Sequence, residues 1–260
     1  MLVRRAKAFI SGESREESMK IRVIIPNASV AFLRTQIEER RWAAGHGVEV
    51  STVCLPSGPV SLESGVDDAL VAVPLLQEAR KAERDGCAAI VIDCAADPSV
   101  RAVREYVSIP VVSAGEAAFQ YALGLGDRFS VVTVLPNTAR LIEERLRMYG
   151  LLLRVASVRY ADVPVLGLED MALAGERILE QARRAIDTDG ADVIVLGCTG
   201  MSPVARRLQE NLEVPVVDPA MAALTLAESL VRMGLTHSRR CYPVPPAKEV
   251  VGEPQLKWEY

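Results

Sequence analysis

Gly86-Cys87-Ala88-Ala89-Ile90-Val91-Ile92-Asp93-Cys94 and Gly190-Ala191-Asp192-Val193-Ile194-Val195-Leu196-Gly197-Cys198 follow one pattern: a glycine, an apolar run of strand length, and a closing cysteine. Such a short β-branched run behind a glycine reads as a strand buried on both faces, the kind found in parallel sheets. The likeness extends outward. Ile109-Pro110-Val111-Val112 falls on Val214-Pro215-Val216-Val217, one loop residue out of step, and Ile24-Ile25-Pro26-Asn27-Ala28-Ser29 falls on Val134-Leu135-Pro136-Asn137-Thr138-Ala139. The chain therefore carries an internal repeat of a large unit.

Around these anchors, β-branched runs alternate with amphipathic stretches, the pattern of strands joined by crossover helices. Strands are predicted at 21–25, 49–53, 88–92, 111–112, 130–134, 155–158, 192–196 and 215–217, four in each half. Helices are predicted at 30–44, 75–85, 100–106, 116–123, 138–149, 168–188, 204–211 and 221–233, with Pro74 near a helix start and Gly86, Gly150 and Gly190 after helix ends. The fold class is α/β: two pseudo-symmetric lobes, each a mostly parallel four-stranded sheet flanked by helices. Right-handed crossovers put the functional loops at the carboxyl ends of the strands, hence a site in the cleft between lobes. The division expected is a flexible N-terminal extension over 1–18, a first lobe of 19–114 plus 219–237, a second lobe of 115–218, and an extended Pro-rich tail over 238–260.

Composition narrows the function classes. Of 260 residues, half are hydrophobic and a quarter charged, which suits a globular protein and excludes disorder and coiled coil. Thirty Lys and Arg against 34 Asp and Glu give a net charge of −4 without any basic block, so no nucleic-acid partner is expected. The apolar runs fall far short of the roughly 20 residues that span a bilayer, and no export signal is read at the N-terminus. A cytoplasmic protein without a membrane partner is the expectation. Five cysteines, an odd number, fit thiol chemistry or packing better than a disulfide framework. Apolar surface on the helices and the arm-like tail point to a homo-oligomer.

Cys94 and Cys198 hold equivalent places, each ending a buried strand before a small-residue turn and a helix. There, backbone N–H groups and a helix N-terminus are expected to favour the thiolate and lower a thiol pKa that is ordinarily about 8.5. One such cysteine reads as a small buried hydrophobe. Two at equivalent positions facing one cleft read as a thiolate that abstracts a proton and a thiol that donates one from the opposite face, a two-base racemase or epimerase arrangement. Cys54, Cys87 and Cys241 have no repeat partner and read as structural. Asn27, Ser29, Asn137 and Thr138, in turns that open helices, can cap those helices or contact a ligand, and Thr199 has the same two readings. Asp93 should point away from the cleft, since successive strand side chains alternate. Asp97-Pro98 reads as the start of the next helix, Glu116 as a carboxylate at a helix N-terminus still able to reach the cleft, and Asp218 as another cap. Only His46 and His237 occur, which gives no Cys-His dyad and no metal site, and no GxxxxGK[ST] or GxGxxG loop is present, so no cofactor is expected.

These residues resemble the aspartate/glutamate/hydantoin racemase superfamily, with hydantoin racemases the nearest branch. The marks are Ile25-Pro26-Asn27-Ala28-Ser29, Cys94-Ala95-Ala96-Asp97-Pro98, Ile109-Pro110-Val111-Val112 leading to Gly115-Glu116-Ala117-Ala118, Phe129-Ser130-Val131-Val132-Thr133, Val158-Arg159 followed by Val163-Pro164-Val165-Leu166, and Leu196-Gly197-Cys198-Thr199-Gly200-Met201. They run from about Met19 to Thr236. The resemblance implies cofactor-independent inversion through an enolate-like carbanion, with Cys94 and Cys198 as the acid/base pair. Asn27, Ser29, Thr133, Asn137, Thr138, Thr199 and Gly200 would then contact the substrate. Glutamate racemases carry Asn-Thr after the first cysteine and a His two places after the second; Ala95-Ala96 and Gly200 stand there instead, which argues against a free amino acid. Cys-x-x-Asp-Pro and Gly-Cys-x-Gly-Met match the hydantoin branch, although that branch's opening Asn-Pro-Asn-Thr is here Ile-Pro-Asn-Ala. Arylmalonate decarboxylases keep one cysteine, so two disfavour decarboxylation. The implied substrate is a 5-monosubstituted hydantoin or a related cyclic ureide such as allantoin. The alternatives are an aspartate/glutamate-type racemase, a maleate-type cis–trans isomerase, and a two-lobed small-molecule binding module with inert cysteines.

Overall fold

In the computed structural model, residues 19–248 are described, so the expected extension over 1–18 and the tail beyond 248 lie outside the described residues. Strand β1 (Met19–Ile25) leads to α1 (Val30–Ala43), β2 (Val48–Cys54), α2 (Gly65–Arg84), β3 (Ala89–Ile92), α3 (Val100–Tyr106), β4 (Val111–Ser113) and α4 (Ala114–Leu125). The order then repeats with β5 (Phe129–Thr133), α5 (Pro136–Met148), β6 (Val155–Tyr160), α6 (Met171–Asp187), β7 (Val193–Leu196), α7 (Ser202–Asn211), β8 (Val216–Val217) and α8 (Pro219–Arg232). The two four-stranded sheets run β2-β1-β3-β4 and β6-β5-β7-β8, the same order in each, and every pairing is parallel.

The layers follow from which faces are apolar. Strands β3 and β7 are buried at every position, as continuous apolar runs require. One face of the first sheet packs on α2 and α3 through Val71, Leu75, Ala79 and Val103. The outer face of the second packs on α6 and α7 through Ala174, Ile178, Ala182 and Leu208. Between the sheets lies a third core that draws Val23 and Val91 from one sheet, Val131 and Val195 from the other, and Ala117, Ala118, Ala223 and Ala227 from α4 and α8. Small residues let those two helices approach closely, and Phe119 of α4 stacks on Phe129 of β5 with ring centroids 5.7 Å apart. The lobes thus share one core.

Two elements differ from the sequence reading. Helix α2 starts at Gly65, well before Pro74 rather than beside it, because Ser64 accepts from the Asp67 N–H at 3.2 Å while Asp67 accepts from the Ser64 hydroxyl at 2.7 Å. That cap outweighs the single bond lost at the proline. At the other end, residues 238–242 are not an extended arm: Arg239 donates to the carbonyls of Arg104, Glu105 and Val107 at the C-terminus of α3. A guanidinium there satisfies carbonyls that the helix itself leaves open.

Candidate active site

The ends of β3 and β7 are built alike down to single hydrogen bonds. Asp93 N–H donates to the Ile24 carbonyl at 2.8 Å and Gly197 N–H to the Val132 carbonyl at 2.7 Å, so each ladder runs one residue past its strand. The cysteine comes next. The Cys94 carbonyl accepts from Asp97 N–H at 3.1 Å and the Cys198 carbonyl from Met201 N–H at 3.0 Å, which closes the same turn in both lobes. Backbone N–H groups of Ala96 and Gly200 point at the respective sulfurs. Both cysteines are only partly buried by accessible area. They are close enough that charge on Cys198 disfavours charge on Cys94.

The turns are tied across the lobes. Thr199 Oγ1 donates to the Asp93 carbonyl at 3.1 Å. Arg145 of α5 donates to the Ala96 carbonyl at 2.9 Å and to Asp68 of α2 at 2.8 Å, and Glu63, beyond β2, accepts from Val165 N–H at 2.7 Å. Gly197 has no room for a side chain, since a Cβ there would lie 2.5 Å from that of Thr133.

Of the residues singled out in sequence, these ties bring Cys94, Cys198, Thr199 and Gly200 together. Thr133 is fully buried and its hydroxyl donates to the Gly197 carbonyl at 3.0 Å, so it supports the Cys198 turn. Thr138 donates to the Leu135 carbonyl at 2.7 Å and accepts from Leu135 N–H at 3.0 Å, closing the start of α5. Asn137 is exposed. Asn27 Oδ1 accepts from Ser29 N–H, and Ser29 Oγ accepts from Phe32 N–H as the cap of α1. Both side chains keep hydrogens to donate, which Thr133, Thr138 and Thr199 do not.

Asp93 is bonded to Arg40, its Oδ2 accepting from Nε at 2.9 Å, and its charge acts on both sulfurs. Asp97 corrects the sequence reading. It does not open α3, whose cap position is Ser99; it accepts from Gly115 N–H and Glu116 N–H, both at 2.8 Å, and so caps α4 across the lobe. Ser113 and Tyr149 hydroxyls also donate to it. Asp97 and Ser99 both have φ of +50°, strain that sits in the segment between Cys94 and α3. Glu116 pairs with Arg104 at 2.6 Å, lining a cavity of about 230 Å³ with Gln120, His237 and Tyr242 that contains neither cysteine. Asp218 caps α8, accepting from Ala220 N–H at 2.9 Å.

The electrostatics also correct an expectation. Burial, not the turn amides, dominates both thiols: Cys198 is pushed up to about 11, and Cys94 is raised further still, against the lowering effect of the Gly200 and Ala96 amides. Asp97 is pushed up to about 6, again by burial. Among the described residues, no group of three or more His, Cys, Asp or Glu is placed to hold a metal ion, and no helix is long and apolar enough to cross a membrane.

Two α/β lobes closing on paired cysteine turns define a family. The Asp/Glu/Hydantoin racemase family matches residues 21–227, and the chain belongs to it as an isomerase of the racemase class. It is 37% identical to a hydantoin racemase from Pseudomonas sp. strain NS671, over 90% of this chain and 95% of that one. Among solved structures it is similar to an allantoin racemase from Klebsiella pneumoniae, with 39% identity, a TM-score of 0.87, and coverage of 91% of this chain and 97% of that one. An allantoin racemase from Pseudomonas fluorescens gives 38% identity and a TM-score of 0.86, with 90% and 100% covered.

Proposed function

We propose that the chain inverts C5 of 5-monosubstituted hydantoins or a related cyclic ureide such as allantoin, with Cys94 and Cys198 as the acid/base pair. The adjacent carbonyl acidifies the C5 hydrogen. One sulfur, as thiolate, takes that proton and leaves an enolate-like carbanion; the other, as thiol, delivers its proton to the opposite face and ends as the thiolate. The observation that carries this reading is the matched pair of turns, which sets one sulfur at the equivalent point of each lobe and joins the two turns through the Thr199 hydroxyl and the Asp93 carbonyl. Two thiols so placed can serve as one base and one acid. Asn27 and Ser29 keep donors for the developing oxyanion, together with free turn amides. The similarity to hydantoin and allantoin racemases supports the substrate class. So does the charge around the sulfurs. Asp93, Asp97 and Glu63 act on them, and the cations bonded to the two turns, Arg40 and Arg145, are already paired with Asp93 and Asp68. A neutral ring suits that setting better than a substrate carboxylate.

Single enantiomers of several 5-substituted hydantoins, allantoin, aspartate and glutamate, incubated with the protein in D₂O, test this through optical rotation and α-deuteration followed together. Loss of rotation with deuterium uptake for hydantoins or allantoin is expected. Cys94→Ser and Cys198→Ser should each keep binding yet lose inversion by roughly 10²-fold or more. Full racemisation by either variant overturns the two-thiol scheme. A working thiol pair also supports a reducing compartment such as the cytoplasm. Exposed Trp42 and Leu153 support a homo-oligomer, which a monomeric mass in light scattering would exclude.

A further inference from the structure

Helix α1 buries two side chains, Gln36 and Arg40, and neither is apolar. A helix normally turns an apolar stripe to the core, so a guanidinium that is 2% exposed there must be held by specific partners. Its nitrogens reach both lobes. Nε donates to Asp93 Oδ2 at 2.9 Å and Nη2 to the Thr199 carbonyl at 3.2 Å. Gln36 also accepts from Nη2, while Nη1 reaches Glu39 at 3.2 Å and Ser202 Oγ at 3.5 Å. Asp93 directly precedes Cys94, and Thr199 directly follows Cys198. One rigid, planar group is therefore bonded to the chain neighbour of each sulfur, and the Thr199 hydroxyl closes the loop on the Asp93 carbonyl.

We propose that Arg40 is a positioning residue that fixes the spacing and facing of Cys94 and Cys198 by clamping both turns at once. This rests on the reading of the two thiols as an acid/base pair. The requirement for arginine is geometric: the guanidinium offers donors in several fixed directions, whereas a lysine ammonium is a point charge on a flexible stem. A buried charge network adds little stability compared with apolar packing, so its arrangement around both turns fits a role in geometry. The clamp matters for inversion in particular, because proton abstraction needs one sulfur in place and inversion needs both.

The test uses the full chain with Arg40→Lys, and with the double variant Arg40→Met/Asp93→Asn, which leaves no carboxylate at position 93 facing an empty site. With a hydantoin that the wild type racemises, Arg40→Lys should lower kcat roughly 10- to 100-fold while KM changes less than about threefold. In D₂O, deuterium in recovered, uninverted substrate should rise relative to inversion. The double variant should shift the same ratio, and it decides the matter if Arg40→Lys fails to fold. A loss of thermal stability with kcat per folded molecule and the exchange-to-inversion ratio unchanged overturns the clamp. Alkylation rates of Cys94 and Cys198, read by peptide mass, give an arm that needs no activity. Changes at both sulfurs support the clamp, and a change at one alone overturns it. A wild type inert toward the whole panel overturns the substrate reading, while the alkylation arm still judges Arg40.

Discussion

Cys94 and Cys198 sit in matching turns yet are not equivalent. Each receives one amide, but Cys94 has Asp97 and Asp93 beside it, whereas Cys198 has Arg40 to offset Asp93 and Glu63. With Cys198 pushed up to about 11 and Cys94 higher, thiolate is scarce in the free protein near neutral pH. Its fraction at Cys198 grows about tenfold per pH unit up to that value. Iodoacetamide labelling should therefore be slow at pH 7, accelerate through the alkaline range, and modify Cys198 before Cys94. Labelling of Cys94 first, or a rate flat with pH, contradicts that order. The cysteines were legible in sequence because a repeat exposes equivalence. The lowered pKa expected for them was not found, because burial depends on what the opposite lobe places over each sulfur.

At the scale of elements, the telling case is the start of α4. Its first amides are held by Asp97, a residue from the turn that follows Cys94, so the helix and that turn are positioned together. Asp97 ordinarily titrates near 3.8 and is pushed up to about 6 here, so the fold favours its protonated form. That contribution is whole below about 3.8 and is lost as pH rises through about 6. Asp97→Asn removes the titration. The stability difference between wild type and variant should therefore change by about 2 kcal/mol between pH 4 and 7, moving against the wild type as pH rises. Paired urea titrations at several pH values read this, and parallel curves would exclude it. Most helices and strands were legible from period and punctuation. Helix α2 was mis-started because Pro74 is a strong local signal, while the competing Ser64–Asp67 cap gains its weight from the apolar face that the added turns bury.

For the molecule as a whole, the layer between the sheets governs behaviour. Helices α4 and α8, with Phe119 on Phe129, make the inner faces of both sheets parts of one core. Neither lobe retains a complete core without the other, so both should unfold in a single transition. Phe119→Ala should cost about 3–5 kcal/mol and lower the protection of amides in β3 and β7 together. Calorimetry with two resolved transitions, or hydrogen exchange altered in one sheet alone, would show independent lobes instead.

By itself the sequence determined the α/β class, the repeat, the strand order's likeness in both halves and the two cysteines, because those depend on local period and on comparison of one half with the other. Only the tertiary structure decided which polar groups lie around the two cysteine turns. Asp93 and Arg40 are 53 residues apart, and Arg40 and Thr199 are 159 apart. Thr133, Thr138 and Thr199 lost their freedom as donors for the same reason. A hydroxyl's partner is set by what folding brings within about 3 Å of it, and neither spacing nor residue type along the chain records that distance.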